Sequence, residues 1–99
     1  MTINIKENEL YQEVELFDGD TKVGEAEVEI KGHMLSRFVI YEPYQNKGYG
    51  TKLLYNLIQK YDIDNLWVNA DNAKAIHLYK KFGFVKTEPT MYEMKLEED

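Results

Sequence analysis

With 99 residues, 43% of them hydrophobic and 30% charged, the chain has the make-up of one folded domain around one core, not of a disordered segment. The absence of cysteine excludes disulfides, thiolate metal sites and cysteine nucleophiles. His33 and His77 stand far apart in sequence, so no metal centre is expected. A formal net charge of −6 has the wrong sign for nucleic-acid binding, and no apolar run is long enough to cross a bilayer. With no charged-then-apolar N-terminal signal either, the expectation is a cytoplasmic protein without membrane or nucleic-acid partners.

The acid is unevenly placed. Residues 1–30 carry nine carboxylates (Glu7, Glu9, Glu13, Glu15, Asp18, Asp20, Glu25, Glu27, Glu29) against Lys6 and Lys22. Such a stretch is either a solvated sheet face or an attractor for a cationic partner.

In chain order, residues 2–6 alternate weakly and suggest a short first strand. Val14 and Leu16 alternate with Glu13 and Glu15, then Asp18-Gly19-Asp20 supplies turn chemistry. Ala26, Val28 and Ile30 alternate next with Glu25, Glu27 and Glu29. A period of two with one apolar and one charged face predicts a hairpin over residues 11–31. Gly32 marks a break before an apolar strand, Met34 to Tyr41. From Gly50 to Tyr61, Leu53, Leu54, Leu57, Ile58 and Tyr61 fall on one helical stripe. Leu66, Val68 and Ala70 read as a buried strand. Asn72 is a good cap for a helix over Ala73–Phe82, which Gly83 stops. Phe84–Thr87 and Met91–Leu96 follow as two strands interrupted by Pro89. The order β-β-β-β-α-β-α-β-β predicts an α/β (α+β) domain, one mixed sheet with two helices.

Two stretches carry candidate chemistry. Tyr44-Gln45-Asn46-Lys47-Gly48-Tyr49-Gly50-Thr51 lies between a strand and a helix. Its two glycines let the backbone turn tightly and converge several amide N–H groups where a helix adds its positive end, an arrangement that suits an anion such as a pyrophosphate. The run fits neither a dinucleotide fingerprint nor a P-loop, and a plain turn would use the same residues. In the second stretch, Asn72 through Phe84, Asn72 caps a helix or borders a pocket, and Tyr79 fills the core or borders the same cleft two turns on.

Taken together, the two stretches resemble signatures of the GNAT superfamily of acyl-CoA-dependent N-acyltransferases. Gln45-x-x-Gly48-x-Gly50 is similar to that family's Q/R-x-x-G-x-G/A pyrophosphate loop. Asn72-x-x-Ala75-x-x-Leu78-Tyr79-x-x-Phe82-Gly83-Phe84 is similar to its second signature, and the resemblance covers residues 22 to 96. It implies a GNAT-like, mostly antiparallel sheet, with acetyl-CoA as acyl donor and an amine as acceptor. By the same match, the strand segment Phe38, Val39 and Ile40 would pair with the pantetheine arm. The loop Gln45, Asn46, Lys47, Gly48, Tyr49, Gly50 and Thr51 would hold the pyrophosphate, and Asn72 would face the pantetheine. Tyr79 would be the general acid that protonates the leaving thiolate. Glu27, Glu29 and Glu42 are candidates for the base.

Three departures accompany the match. Asn46 stands where the family usually has a small residue or glycine, and Pro43 is displaced by one from the family's proline, where Glu42 stands. The two helices usual between the first and second strands are expected to be missing. An open acceptor side would suit a large substrate, be completed by a second subunit in a homodimer, or mark a non-catalytic CoA-binding or protein-interaction module. Combined with the acidic first third, it points to a cationic acceptor, a protein lysine or chain terminus of a basic protein or peptide.

Overall fold

The computed structural model describes residues 1–8, 10–86 and 93–96. In chain order the elements are β1 (Thr2–Glu7), β2 (Tyr11–Asp18), β3 (Thr21–Glu29), β4 (Met34–Ile40), a 3-10 turn (Glu42–Tyr44), α1 (Tyr49–Tyr61), β5 (Asn65–Trp67), α2 (Ala73–Lys81), β6 (Phe84–Lys86) and β7 (Glu93–Leu96). They form a seven-stranded sheet in the order β1-β2-β3-β4-β5-β7-β6. All neighbours run antiparallel except β4 and β5, which are parallel because α1 carries the chain back between them. This is the mixed sheet with two helices that the element order predicts, and it is mostly antiparallel as the resemblance implies. Among the described residues, no helix is long and apolar enough to cross a membrane.

The alternation in β2 and β3 decides which face is wet. Val14, Leu16, Ala26 and Val28 are buried, whereas Glu13, Glu15, Glu25 and Glu27 lie on the other face. Helix α1 closes the apolar face with Leu53, Leu54 and Leu57, and α2 adds Tyr79 to the same core, which also takes in Leu35, Leu66, Phe84 and Met94. The apolar stripe in α1 exists because those leucines recur at helical spacing, so burying one side of the helix buries them together.

Three sequence expectations need adjustment. β5 ends at Trp67, so Val68 and Ala70 are not strand residues. Among the described residues its pairing with β7 runs from Asn65 to Trp67, and its pairing with β4 stops at Leu66. Helix α1 begins at Tyr49, one residue early, and α2 ends at Lys81, with Phe82 as its cap. Thr87, Pro89 and Met91 lie outside the described residues.

The sheet opens between β4 and β5. Only Met34↔Asn65 and Leu35↔Leu66 pair before the two strands part. The cause is local. Between Glu27↔Arg37 and Val28↔Leu35 the register slips, leaving Ser36 as an extra residue on β4. Its hydroxyl donates to the Glu27 carbonyl at 3.0 Å and fixes the bulge. A bulge bends its strand and sharpens its twist. Placed right after the last β4–β5 pair, it turns Arg37 to Ile40 away from β5 and leaves one backbone edge of that segment open.

Candidate functional site

A cleft of about 470 Å³ occupies this opening, walled by β4, the loop before α1 and one face of α2. Of the residues singled out from sequence, Phe38, Val39, Ile40, Gln45, Asn46, Gly48, Gly50, Thr51 and Asn72 line it. Lys47 and Tyr49 do not. The Tyr49 phenol instead donates to Asp18 at the β2–β3 turn, which raises it above its usual range and ties the loop to the far side of the sheet. Tyr44, Lys74, Ala75, Leu78 and Lys81 also line the cleft. For Lys74 and Lys81 the signal was available: with Leu78 they recur at i, i+4 and i+7 on α2.

The loop is shaped by its φ angles. Asn46 (φ 63°) and Gly48 (φ 87°) are left-handed, whereas Lys47 between them is not. Alternation of this kind turns consecutive N–H groups into one concave surface. It also accounts for Asn46: glycine is the natural choice there, and asparagine is among the few side chains that tolerate the conformation. Gly48 is the N-cap of α1, and no side chain caps the helix; the first intrahelical bond runs from Lys52 N–H to the Gly48 carbonyl at 3.2 Å. The N–H groups of the first turn therefore have no intrahelical partner at the positive end of a 13-residue helix, and Gly48, Gly50 and Thr51 at that end line the cleft. Gly50 lets α1 approach its neighbours. A Cβ there would lie 3.4 Å from Leu78 Cδ2 and 3.6 Å from Ile40 Cγ1.

Pro43 sits inside the 3-10 turn, whose Tyr44 N–H donates to the Tyr41 carbonyl at 2.9 Å. The displaced proline thus shapes the turn that leads into the loop, and the bulge belongs to Ser36, further back on β4.

Just past β4, Tyr41 N–H donates to the Val23 carbonyl at 2.9 Å, so its backbone faces β3. By alternation Val39 does the same, and only Phe38 and Ile40 turn their backbone N–H and C=O to the open edge. Gln45 already spans that edge. Its Nε2 donates to the Ile40 carbonyl at 2.9 Å, and its Oε1 accepts from Lys74 Nζ at 3.4 Å. Asn72 serves both of its possible roles. Its Oδ1 accepts from Ala75 N–H at 3.2 Å and caps α2, and the residue lines the cleft.

Tyr79 is 4% exposed and lies behind the cleft wall rather than on it. Its ring packs edge-on against Phe38 and Phe84 at centroid separations of 6.1 and 6.2 Å. Burial pushes its phenol well above the usual tyrosine range, so it carries its proton at any working pH. None of the candidate bases lines the cleft: Glu42 is exposed in the 3-10 turn, and Glu27 and Glu29 lie on the opposite sheet face.

That face is also less negative than the sequence implies. Lys22 bridges Glu15 and Glu25, both at 3.0 Å, with Lys6 beside Glu15 and Arg37 beside Glu25. The Lys22 ammonium is the main reason that both carboxyls sit below their ordinary range. Glu13 and Glu27 stand directly opposite each other on that face.

Residues 2–97 match the family model described as an acetyltransferase (GNAT) domain. A spermine/spermidine N(1)-acetyltransferase of Bacillus subtilis (strain 168) is 38% identical over 74 residues, which is 69% of this chain and 44% of that protein. The chain thus spans less than half the length of that relative. Among solved structures, the ribosomal-protein-S18-alanine N-acetyltransferase from Escherichia coli superposes with a TM-score of 0.73 at 24% identity, over 91% of this chain and 70% of that one. The PaiA N-acetyltransferase of Thermoplasma acidophilum, solved in complex with coenzyme A, gives 0.72 at 23% identity, over 90% and 62%.

Proposed function

Because this chain belongs to the GNAT acetyltransferase family, whose acyl donor is acetyl-CoA, we propose that it transfers an acetyl group from acetyl-CoA to an amine and that the cleft beside β4 seats the donor. The observation that carries the reading is the uncapped start of α1. A turn with left-handed Asn46 and Gly48 presents unpaired N–H groups and the helix's positive end at the mouth of the opening beside β4. The amides of this loop would bind the pyrophosphate without any excess of lysine, so the acidic composition is no obstacle. The open backbone edge at Phe38 and Ile40 would pair with the amides of the pantetheine arm, and Asn72 would add its amide nitrogen. For the Ile40 carbonyl to take part, the Gln45 amide has to move aside.

In this reading the Ile40 or Phe38 N–H meets the charge that develops on the thioester oxygen. Tyr79 would supply the donor to the departing sulfur, which requires the wall in front of its buried phenol to move aside. Its raised phenol makes complete proton transfer to a thiolate of ordinary pKa near ~8.5 uphill, so its larger contribution is a hydrogen bond that stabilises the negative sulfur. The attacking amine has to be neutral, and water is the simplest proton acceptor because, among the described residues, no carboxylate lines the cleft.

The acceptor is read as a cationic amine. Only three residues join β1 to β2, too few for a helix, so the acidic sheet face is left bare on that side. Such a surface admits a large, basic substrate such as a protein lysine or chain terminus. The Bacillus subtilis relative's name makes a polyamine the second acceptor to try. The same bare face favours the rival reading, a module that binds CoA without turnover, and a second subunit would be another way to cover it. The test is a thermal-shift titration with CoA combined with CoA release from acetyl-CoA in the presence of a basic peptide, spermidine and a neutral amine. A shift with release supports the enzyme; a shift without release on any amine supports the module. No shift at millimolar CoA rejects the donor assignment.

A further inference from the structure

The tip of the β2–β3 hairpin holds the loop before α1 at both of its ends. Asp18 closes β2, and its pairing with Thr21 leaves Gly19 (φ 61°) and Asp20 as a tight two-residue turn. Between Leu16↔Gly24 and Phe17↔Lys22 the register slips, leaving Val23 as an extra residue on β3. The Val23 carbonyl accepts from the Tyr41 N–H at 2.9 Å, where the chain leaves β4 to enter the loop. At the loop's other end, Asp18 accepts from the Tyr49 phenol. The carboxylate raises that phenol above its usual range, so it keeps its proton and stays the donor.

Tyr49 stands between Gly48 and Gly50, so its ring anchors the turn that carries the loop's N–H groups. Among the described residues, this is the one side-chain hydrogen bond made between Asn46 and Thr51. Left-handed backbone at Asn46 costs energy that glycine would not, so the turn needs a hold from outside. The neighbouring bond from Gln45 Nε2 to the Ile40 carbonyl cannot be that hold, since it has to open when the carbonyl meets a ligand.

We infer that the Tyr49–Asp18 hydrogen bond preforms the anion loop before the donor arrives, which makes Tyr49 a positioning residue that acts on the pyrophosphate only through the backbone it holds. The inference rests on the assignment of the cleft to CoA. Ordering a loop at the moment of binding subtracts from affinity, so a preformed loop binds more tightly. Loss of one hydrogen bond to a charged group corresponds to about a tenfold change in dissociation constant. The loss should fall on the pyrophosphate alone, because the Tyr49 side chain does not line the cleft.

The experiment measures dissociation constants of CoA and, by competition, of pantetheine, which lacks the pyrophosphate. The proteins are the wild type, Tyr49→Phe, Asp18→Ala, Asp18→Asn and the double variant Tyr49→Phe/Asp18→Ala. Tyr49→Phe and Asp18→Ala should each weaken CoA about tenfold. Pantetheine binding should be unchanged in both, as proof that they are folded. The double variant should lose no more than either single one, and Asp18→Asn, whose amide oxygen still accepts, should bind CoA as the wild type does. CoA affinity unchanged in Tyr49→Phe, a loss shared equally by pantetheine, or losses that add in the double variant overturn the inference while the CoA assignment stands. Failure of the wild type to bind CoA overturns the CoA assignment, and the inference with it.

Discussion

Gly50 offers the sharpest test of how the loop and the cleft are built. Its φ is not left-handed, so an L-residue is not strained there, and the available space decides what fits. A methyl group would sit 3.4 Å from Leu78, 3.6 Å from Ile40 and 3.9 Å from Phe38, all ordinary contact distances. Gly50→Ala should therefore fold normally and gain up to about 1 kcal/mol from the lower chain entropy of alanine in a helix. For a domain of this size that is a rise in Tm of roughly 4–8 °C. Its CoA-induced shift should be retained. Gly50→Leu has to send three further carbons between Ile40 and Leu78, which line the cleft with it, so it should lose the shift while staying folded. At a CoA concentration ~100 times Kd the wild type should gain about 2.7 kcal/mol, on the order of 10 °C or more. Differential scanning fluorimetry with and without CoA reads both quantities. If Gly50→Leu binds CoA as the wild type does, the donor does not lie against this loop. If Gly50→Ala destabilises instead, the spacing argument is wrong.

Tyr79→Phe should keep the edge-on packing with Phe38 and Phe84, hence the fold and CoA affinity, and slow CoA release in a steady-state assay by a factor of ~10²–10⁴; unchanged turnover would move the donor role elsewhere. Gly24→Ala puts a Cβ 2.6 Å from the Val39 carbonyl oxygen, so β4 has to shift, costing about 1–3 kcal/mol in denaturant unfolding and weakening CoA binding because Ile40 lines the cleft. Lys22→Met should separate from the wild type in a pH-dependent way. Glu15 and Glu25 titrate below the ordinary carboxyl value of 4.5 because of Lys22, so their share of stability is present above that value and lost as pH falls through their depressed range. The gap in Tm between wild type and variant should be widest near neutrality and close toward acid. A gap that does not narrow there would refute the role given to Lys22.

How much of this was legible in advance depended on whether the cause was local. Alternation in β2 and β3, the leucine stripe of α1, the cap at Asn72 and the turn chemistry of Gly48 are properties of a few consecutive residues, and the sequence alone determines them. The element order follows, and so does the expectation of an anion loop between β4 and α1. The tertiary structure decided what depends on neighbours distant in sequence. The bulge at Ser36 appears only when β3 fixes the register of β4, and that bulge turns β4 away from β5 after the Leu35–Leu66 pair. Gly24 matters only because Val39 and Ile40 lie across from it. Lys22 quenches Glu15 and Glu25 because the β2–β3 hairpin sets the two carboxylates opposite each other. Lys74 and Lys81 belong to the cleft only once α2 packs beside the open edge of β4. Periodicity reports which face of an element is buried; which partner that face meets, and in what register, is fixed by packing across the whole sheet.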